Sequence, residues 1–144
     1  MTREGDVSVW SDEVPTPNGL VFSLDGSVLY AAATFQEPGL YRIPVSSEGT
    51  AGTAERIVDY GSAAPDGLAI DSEGNVYVAL ATGGQIAKVD PEGNSTILTD
   101  NLRGIGPASI AFGQGDFDPC SLYVSSLFTT QLRRVGAGVL GVEK

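Results

Sequence analysis

Apolar residues in this chain fall in short blocks of strand length, separated by Gly, Pro, Asp and Ser. The blocks run Gly19–Ser23, Val28–Ala33, Gly39–Val45 and Ala54–Tyr60, then Gly67–Asp71, Val76–Ala81, Gln85–Asp90 and Ser95–Thr99. A third group reads Ala108–Gly113, Leu122–Ser126 and Gln131–Val135. They are rich in Val, Ile, Leu and Tyr and partly alternate with polar residues, as half-buried strands do. Four-residue turns join them at Leu24-Asp25-Gly26-Ser27, Ser72-Glu73-Gly74-Asn75 and Pro91-Glu92-Gly93-Asn94. A Gly in such a turn takes φ > 0 at little cost, which suits a hairpin. No window sustains a 3.6-residue period with caps, so almost no helix is expected.

A phrase recurs across the groups. Pro17-Asn18-Gly19-Leu20 returns as Pro65-Asp66-Gly67-Leu68, and in degraded form as Pro107-Ala108-Ser109-Ile110, at spacings of 48 and 42 residues. Repeats of this size with four antiparallel strands each are β-propeller blades. The expected fold class is therefore all-β, with three blades over 17–64, 65–106 and 107–144 after a terminal strand and linker at 1–16. Val139–Val142 reads as a weak fourth strand of the last blade. Val7–Ser11 alternates and reads as a lone outer strand. Propellers have four to eight blades, so three make half of a six-bladed ring. Either a homodimer completes the ring, each Val7–Ser11 strand finishing the partner's third blade, or an N-terminal half is missing. An open sandwich of the same strands is the alternative fold.

Composition narrows the chemistry. Among 144 residues there is no histidine, which removes Ser-His-Asp and Cys-His catalysis and histidine metal sites. The one cysteine, Cys120, excludes an internal disulfide and a cysteine-cluster zinc site, and reads as a buried structural thiol. A net charge of −10 with only 8 Lys and Arg argues against nucleic acid as a partner. No apolar run has the length of a membrane span. The first residues carry no apolar signal core, so a cytoplasmic location is the default.

The variable position of the phrase carries Asn18, then Asp66, then Ala108. Oxygen-bearing side chains at equivalent points of adjacent repeats can converge on one ligand, because innermost strands begin at the central tunnel. Both are hard oxygen donors suited to Ca²⁺ or Mg²⁺. A carboxylate there can also serve as a general base. Asn and Asp before Gly are equally at home as turn residues. Glu37, Thr82 and Phe128, with Phe35 and Thr129, fall in loops after second strands and are candidates to contact a small-molecule ligand at the tunnel mouth. Asp25 and Asp71 read as turn-closing residues, Tyr30, Tyr77 and Tyr123 as packing residues, and Lys88 as a lysine with no visible partner.

The stretches Pro17–Ala33 (PNGLVFSLDGSVLYAAA), Pro65–Gly93 (PDGLAIDSEGNVYVALATGGQIAKVDPEG) and Ser109–Ser126 resemble the senescence marker protein (regucalcin) and gluconolactonase family. Strictosidine-synthase-like propellers share the blade pattern. The resemblance spans roughly residues 15–126 and corresponds to the C-terminal half of a member. It implies a six-bladed propeller with a divalent cation in the tunnel, Ca²⁺ first and Mg²⁺, Mn²⁺ or Zn²⁺ as alternatives. It also implies hydrolysis of sugar lactones or related esters. Asn18 and Asp66 match two of the family's metal ligands, and Asp66 its general base. The remaining ligands lie in the half without a counterpart here. A degenerate relative, or a non-catalytic propeller module binding a small molecule or a protein, is the other reading.

Overall fold

The computed structural model of the chain describes residues 4–142, and strands are its only regular elements there. They are β1 (Pro17–Phe22), β2 (Val28–Ala33), β3 (Gly39–Pro44), β4 (Glu55–Asp59), β5 (Pro65–Ile70), β6 (Val76–Leu80), β7 (Gln85–Val89), β8 (Ser95–Thr99), β9 (Pro107–Phe112), β10 (Ser121–Ser126) and β11 (Arg133–Gly136). Each sheet is an antiparallel meander: β1-β2-β3-β4, β5-β6-β7-β8 and β9-β10-β11. The fold is the expected propeller, all-β, with three blades. No helix among the described residues is long and apolar enough to cross a membrane.

Blade two is the centre of the packing because both of its faces are covered. Every residue of β6 is buried. The two-residue period of a strand sends alternate side chains to opposite faces. Val76, Val78 and Leu80 join Ala32 and Leu40 of blade one. Tyr77 and Ala79 join Ile110, Leu122 and Val124 of blade three. A near-continuous apolar run in a propeller strand thus reports burial on both faces, as in parallel sheets.

The inner strands share a device that orients the site. In β1 the pairing steps from Pro17↔Ala33 to Leu20↔Ala31, and in β5 from Pro65↔Leu80 to Leu68↔Val78, a bulge in each case. β9 shifts in the same place, between Val124 and Ser126 of its partner β10. The residue preceding each Pro is left-handed: Thr16 (φ 44°), Ala64 (φ 51°) and Gly106 (φ 64°). Its carbonyl accepts the first N–H after the second strand, from Thr34 (3.2 Å), Ala81 (3.0 Å) and Leu127 (2.8 Å) respectively. Bulges re-aim side chains and end pairing. Here they free Asn18-Gly19 and Asp66-Gly67 from the ladder.

Two expected strands are absent. Val7–Ser11 joins no ladder and runs beside blade one, where Trp10 Nε1 donates to the Gly49 carbonyl at 2.7 Å and Glu13 accepts the Ala54 N–H at 2.7 Å. Val139–Val142 adds no strand to blade three. Gly141 instead bridges Asp71 of blade two, and the Leu140 carbonyl accepts the Ser72 N–H at 2.9 Å. The reason is partner geometry: the Asp71 turn offers hydrogen bonds close at hand, whereas β11 is only four residues long. Residues 143 and 144 lie outside the described residues.

Candidate functional site

The inner strands begin at one end of the molecule, and there the bulges place Asn18 and Asp66 on neighbouring blades. Close approach of the strands depends on Gly19. A Cβ at that position would overlap the Asp66 carbonyl and come within 2.8 Å of the Leu68 nitrogen. The next seam repeats this, since a Cβ on Gly67 would overlap the Ala108 carbonyl and lie 2.8 Å from the Ser109 Cα. The glycine of the repeated phrase is therefore a spacing residue between blades.

A short chain of hydrogen bonds holds the pair. The Thr34 hydroxyl, buried behind β1, donates to the Pro65 carbonyl at 2.8 Å and accepts from Asn18 Nδ2 at 3.3 Å. The Asn18 side chain is also hydrogen-bonded to the Asp66 carboxylate. With the amide nitrogen so used, the amide oxygen is the atom left to meet a ligand. Asp66 is half-buried and Asn18 exposed. Burial pushes the Asp66 carboxyl above the usual carboxylate range, and the bond from Asn18 opposes that only in part. A half-buried carboxylate with a raised pKa beside an open amide oxygen suits a proton acceptor. Thr34 escaped sequence reasoning because Ala81 and Leu127 occupy its place in the other repeats, so no shared residue type marks it.

Below the polar end the three inner strands line an apolar trough of about 210 Å³, with Leu20, Leu68, Ile110 and Phe112 among its walls. The mouth-loop candidates lie at the polar end but bond elsewhere. Glu37, at φ 47°, accepts the Tyr41 hydroxyl at 3.3 Å. Thr82 Oγ1 donates to the Ser62 carbonyl at 2.6 Å. Phe128 is 63% exposed and rests against Gly106. None of these three is brought into a hydrogen bond with Asn18 or Asp66 among the described residues.

A second carboxylate is the most buried polar group in the fold, and it is structural. Asp71 is fully buried and accepts from Glu73 N (2.9 Å), Asn75 N (2.9 Å), Asn75 Nδ2 (2.8 Å) and the Tyr77 hydroxyl (3.0 Å). Lys88 Nζ lies 3.8 Å from it and 5.8 Å from the centre of the Tyr77 ring. Lys88 therefore has the partner that its sequence neighbours conceal, across the β6–β7 pair where Tyr77 faces Lys88.

Among the described residues no three His, Cys, Asp or Glu side chains gather as a metal cage. Asn18 and Asp66 fit the oxygen chemistry of a divalent cation as two ligands of a larger set, since Ca²⁺ takes 6–8 oxygens.

Three antiparallel blades, two of whose inner strands bring oxygen-bearing side chains to one end, have the build of a β-propeller of the lactonase-and-regucalcin kind. The chain belongs to the SMP-30/Gluconolactonase/LRE-like family, whose profile matches residues 1–128. It is 31% identical to regucalcin of Danio rerio over 81% of this chain and 40% of that protein. It is 32% identical to 6-deoxy-6-sulfogluconolactonase of Pseudomonas putida over 85% of this chain and 42% of that protein. A calcium-binding regucalcin from Agrobacterium tumefaciens has the same fold, with a TM-score of 0.71 at 21% identity, covering 98% of this chain and 52% of its own. The chain thus spans about two fifths of the length of the curated relatives it matches.

Proposed function

We propose that this chain carries the base-bearing half of a divalent-cation-dependent hydrolase of small lactones or esters. The observation behind the reading is the Asn18–Asp66 pair, set on adjacent bulges with the carboxyl pKa raised by burial. The lactonase among its relatives supports the substrate class, and the calcium-binding regucalcin supports Ca²⁺ as the first candidate cation. Asn18 and Asp66 would hold the cation through the amide oxygen and one carboxylate oxygen. When bound, the cation supplies positive charge that polarises a lactone carbonyl and favours deprotonation of water.

The protein's own part is then specific. Asp66 accepts the proton of the attacking water and returns it to the leaving alcohol oxygen as the ring opens. Asn18 and Thr34 fix the position of that carboxylate. The bulged backbone keeps both groups out of the ladder and open to substrate. A panel of sugar lactones and aryl esters assayed with Ca²⁺, Mg²⁺, Mn²⁺ and Zn²⁺ tests the reading. Turnover abolished by chelator and by Asp66→Ala supports it. Inactivity across the panel, with the variant folded, favours a non-catalytic binding module.

A further inference from the structure

We propose that the end of the molecule opposite Asn18 and Asp66 is a docking surface for a basic protein segment that carries an apolar anchor. The connections after β1, β5 and β9 meet residues 140–142 there, beneath blade two, whose neighbours on both sides belong to this chain. Together they enclose a cleft of about 280 Å³ lined by Leu24, Ser72, Pro119, Leu140 and Val142. Backbone bonds fix its floor. Ser72 N donates to the Leu140 carbonyl at 2.9 Å and Gly141 N to the Pro119 carbonyl at 3.0 Å. Leu24 and Leu140 are each about half exposed. The apolar surface continues past Gly74, where an added Cβ would lie 3.9 Å from Leu24 Cδ1 and 3.7 Å from Pro91 Cγ.

Carboxylates stand around this floor. Asp25 follows Leu24, Glu73 follows Ser72, Glu92 follows Pro91 and Asp118 precedes Pro119, and all four are exposed. None of the four is in a salt bridge among the described residues. Hydrogen bonds inside the turns, from Ser27 N to Asp25 and from the Ser121 hydroxyl to Asp118, hold both carboxyls below the usual range. They therefore stay charged well into acid.

An exposed apolar patch rimmed by polar groups marks an interaction site, and the sign of the rim selects the occupant. A second copy of this chain, at a net charge of −10, brings like charge to the rim. An anionic membrane surface is repelled for the same reason. A protein segment with a large aliphatic or aromatic side chain flanked by Lys or Arg satisfies both floor and rim. The anchor in the cleft supplies most of the affinity, and the rim charges supply orientation and a fast encounter. The surface lies at the far end of the strands from Asp66, so the inference stands whether or not the protein is a lactonase.

Fluorescence anisotropy at low ionic strength decides it, with three dye-labelled peptides of equal length. The first has a central pair of leucines flanked by lysines, the second glutamates in place of the lysines, the third serines in place of the leucines. The first is expected to bind at least about ten-fold more tightly than either of the others, and to weaken as salt rises. Leu24→Ser and Leu140→Ser, at exposed positions, are each expected to weaken that binding several-fold with an unchanged far-ultraviolet spectrum. Ile97→Ser, at an exposed position on β8, is expected to leave it unchanged. Asp25→Asn with Glu73→Gln is expected to lower both the affinity and its salt dependence. Equal binding of the leucine and serine peptides overturns the proposal, since that is general attraction to an acidic protein. Binding indifferent to both leucine substitutions also overturns it, as does self-association of the chain through those leucines without peptide binding.

Discussion

Gly19 and Asp66 are packed backbone to backbone: the missing side chain of one is the space occupied by the carbonyl of the other. Gly67 stands in the same relation to Ala108. Neither glycine is held at a positive φ, so their requirement is room alone. Gly67→Ala is expected to destabilise the fold by about 2 kcal/mol or more, because backbone cannot give way as a side-chain end does. Gly93→Ala, where a Cβ would meet nothing, costs only the strain of its φ of 91°. Urea denaturation of the two variants should separate them. The Gly67 variant should also move Asp66 and Ala108 amide resonances across the seam.

The repeated phrase made the blades countable because its glycine and proline answer to backbone constraints that every repeat shares. Strand positions were legible for the same reason, since Tyr30, Tyr77 and Tyr123 keep one place in each meander. The left-handed residue before each proline was not, because Thr16 and Ala64 are poor candidates for that conformation and a following proline disfavours it further. Nor was Thr34, whose role depends on a carbonyl 31 residues away. Alternation in Val7–Ser11 misled: the segment joins no ladder and is held beside blade one by the Trp10 and Glu13 side chains instead. The Asp71–Lys88 contact was hidden because a hairpin register, not sequence distance, creates it.

Asp71→Ala should be the most damaging carboxylate substitution in the protein. It strands the buried Tyr77 hydroxyl and the Asn75 amide and leaves Lys88 without its counter-charge. Loss of one partner from such a network costs about 3–5 kcal/mol. Tyr77→Phe removes one donor and should cost about 1 kcal/mol. Thermal unfolding measures both. Hydrogen exchange on the Asp71 variant should additionally quicken at Gly141, whose backbone bridges Asp71.

Two carboxylates give opposite pH signatures. Asp25 Oδ1 accepts the Ser27 N–H at 3.0 Å and the Ser23 and Ser27 hydroxyls at 2.7 and 2.8 Å. These bonds, the backbone one foremost, hold its pKa at about 2 against an ordinary 3.8. The stability they confer is complete above 3.8 and is lost as pH falls towards 2. Carbon-detected titration should find the Asp25 carboxyl protonating only as the pH approaches about 2.

Asp66 runs the other way. Its raised pKa means the folded state holds the proton more tightly than the unfolded chain does. Its ionisation therefore costs stability as pH rises from the ordinary carboxylate value through the folded one. In chelator-treated protein, Asp66→Asn should raise the melting temperature at neutral pH. That gain should vanish in acid, where the wild-type carboxyl is already neutral. A melting temperature lowered equally at both pH values would mean that Asp66 is a structural residue and not a strained functional one.

Thr34→Val tests whether the hydroxyl behind the site matters to the ligand. The substitution keeps the volume but removes the donor to the Pro65 carbonyl and the acceptor for Asn18 Nδ2. Loss of the carbonyl's partner costs about 1 kcal/mol of stability. The larger consequence is for Asn18, whose amide is then free to turn its nitrogen towards the ligand position. Groups that orient a ligating side chain change metal affinity by about 10–100-fold when lost. Calorimetric titration with Ca²⁺ should show a weakening within that span for Thr34→Val. Thr34→Ser, which retains the hydroxyl, should bind as the wild type does. Equal binding by all three proteins would place Thr34 in the fold alone.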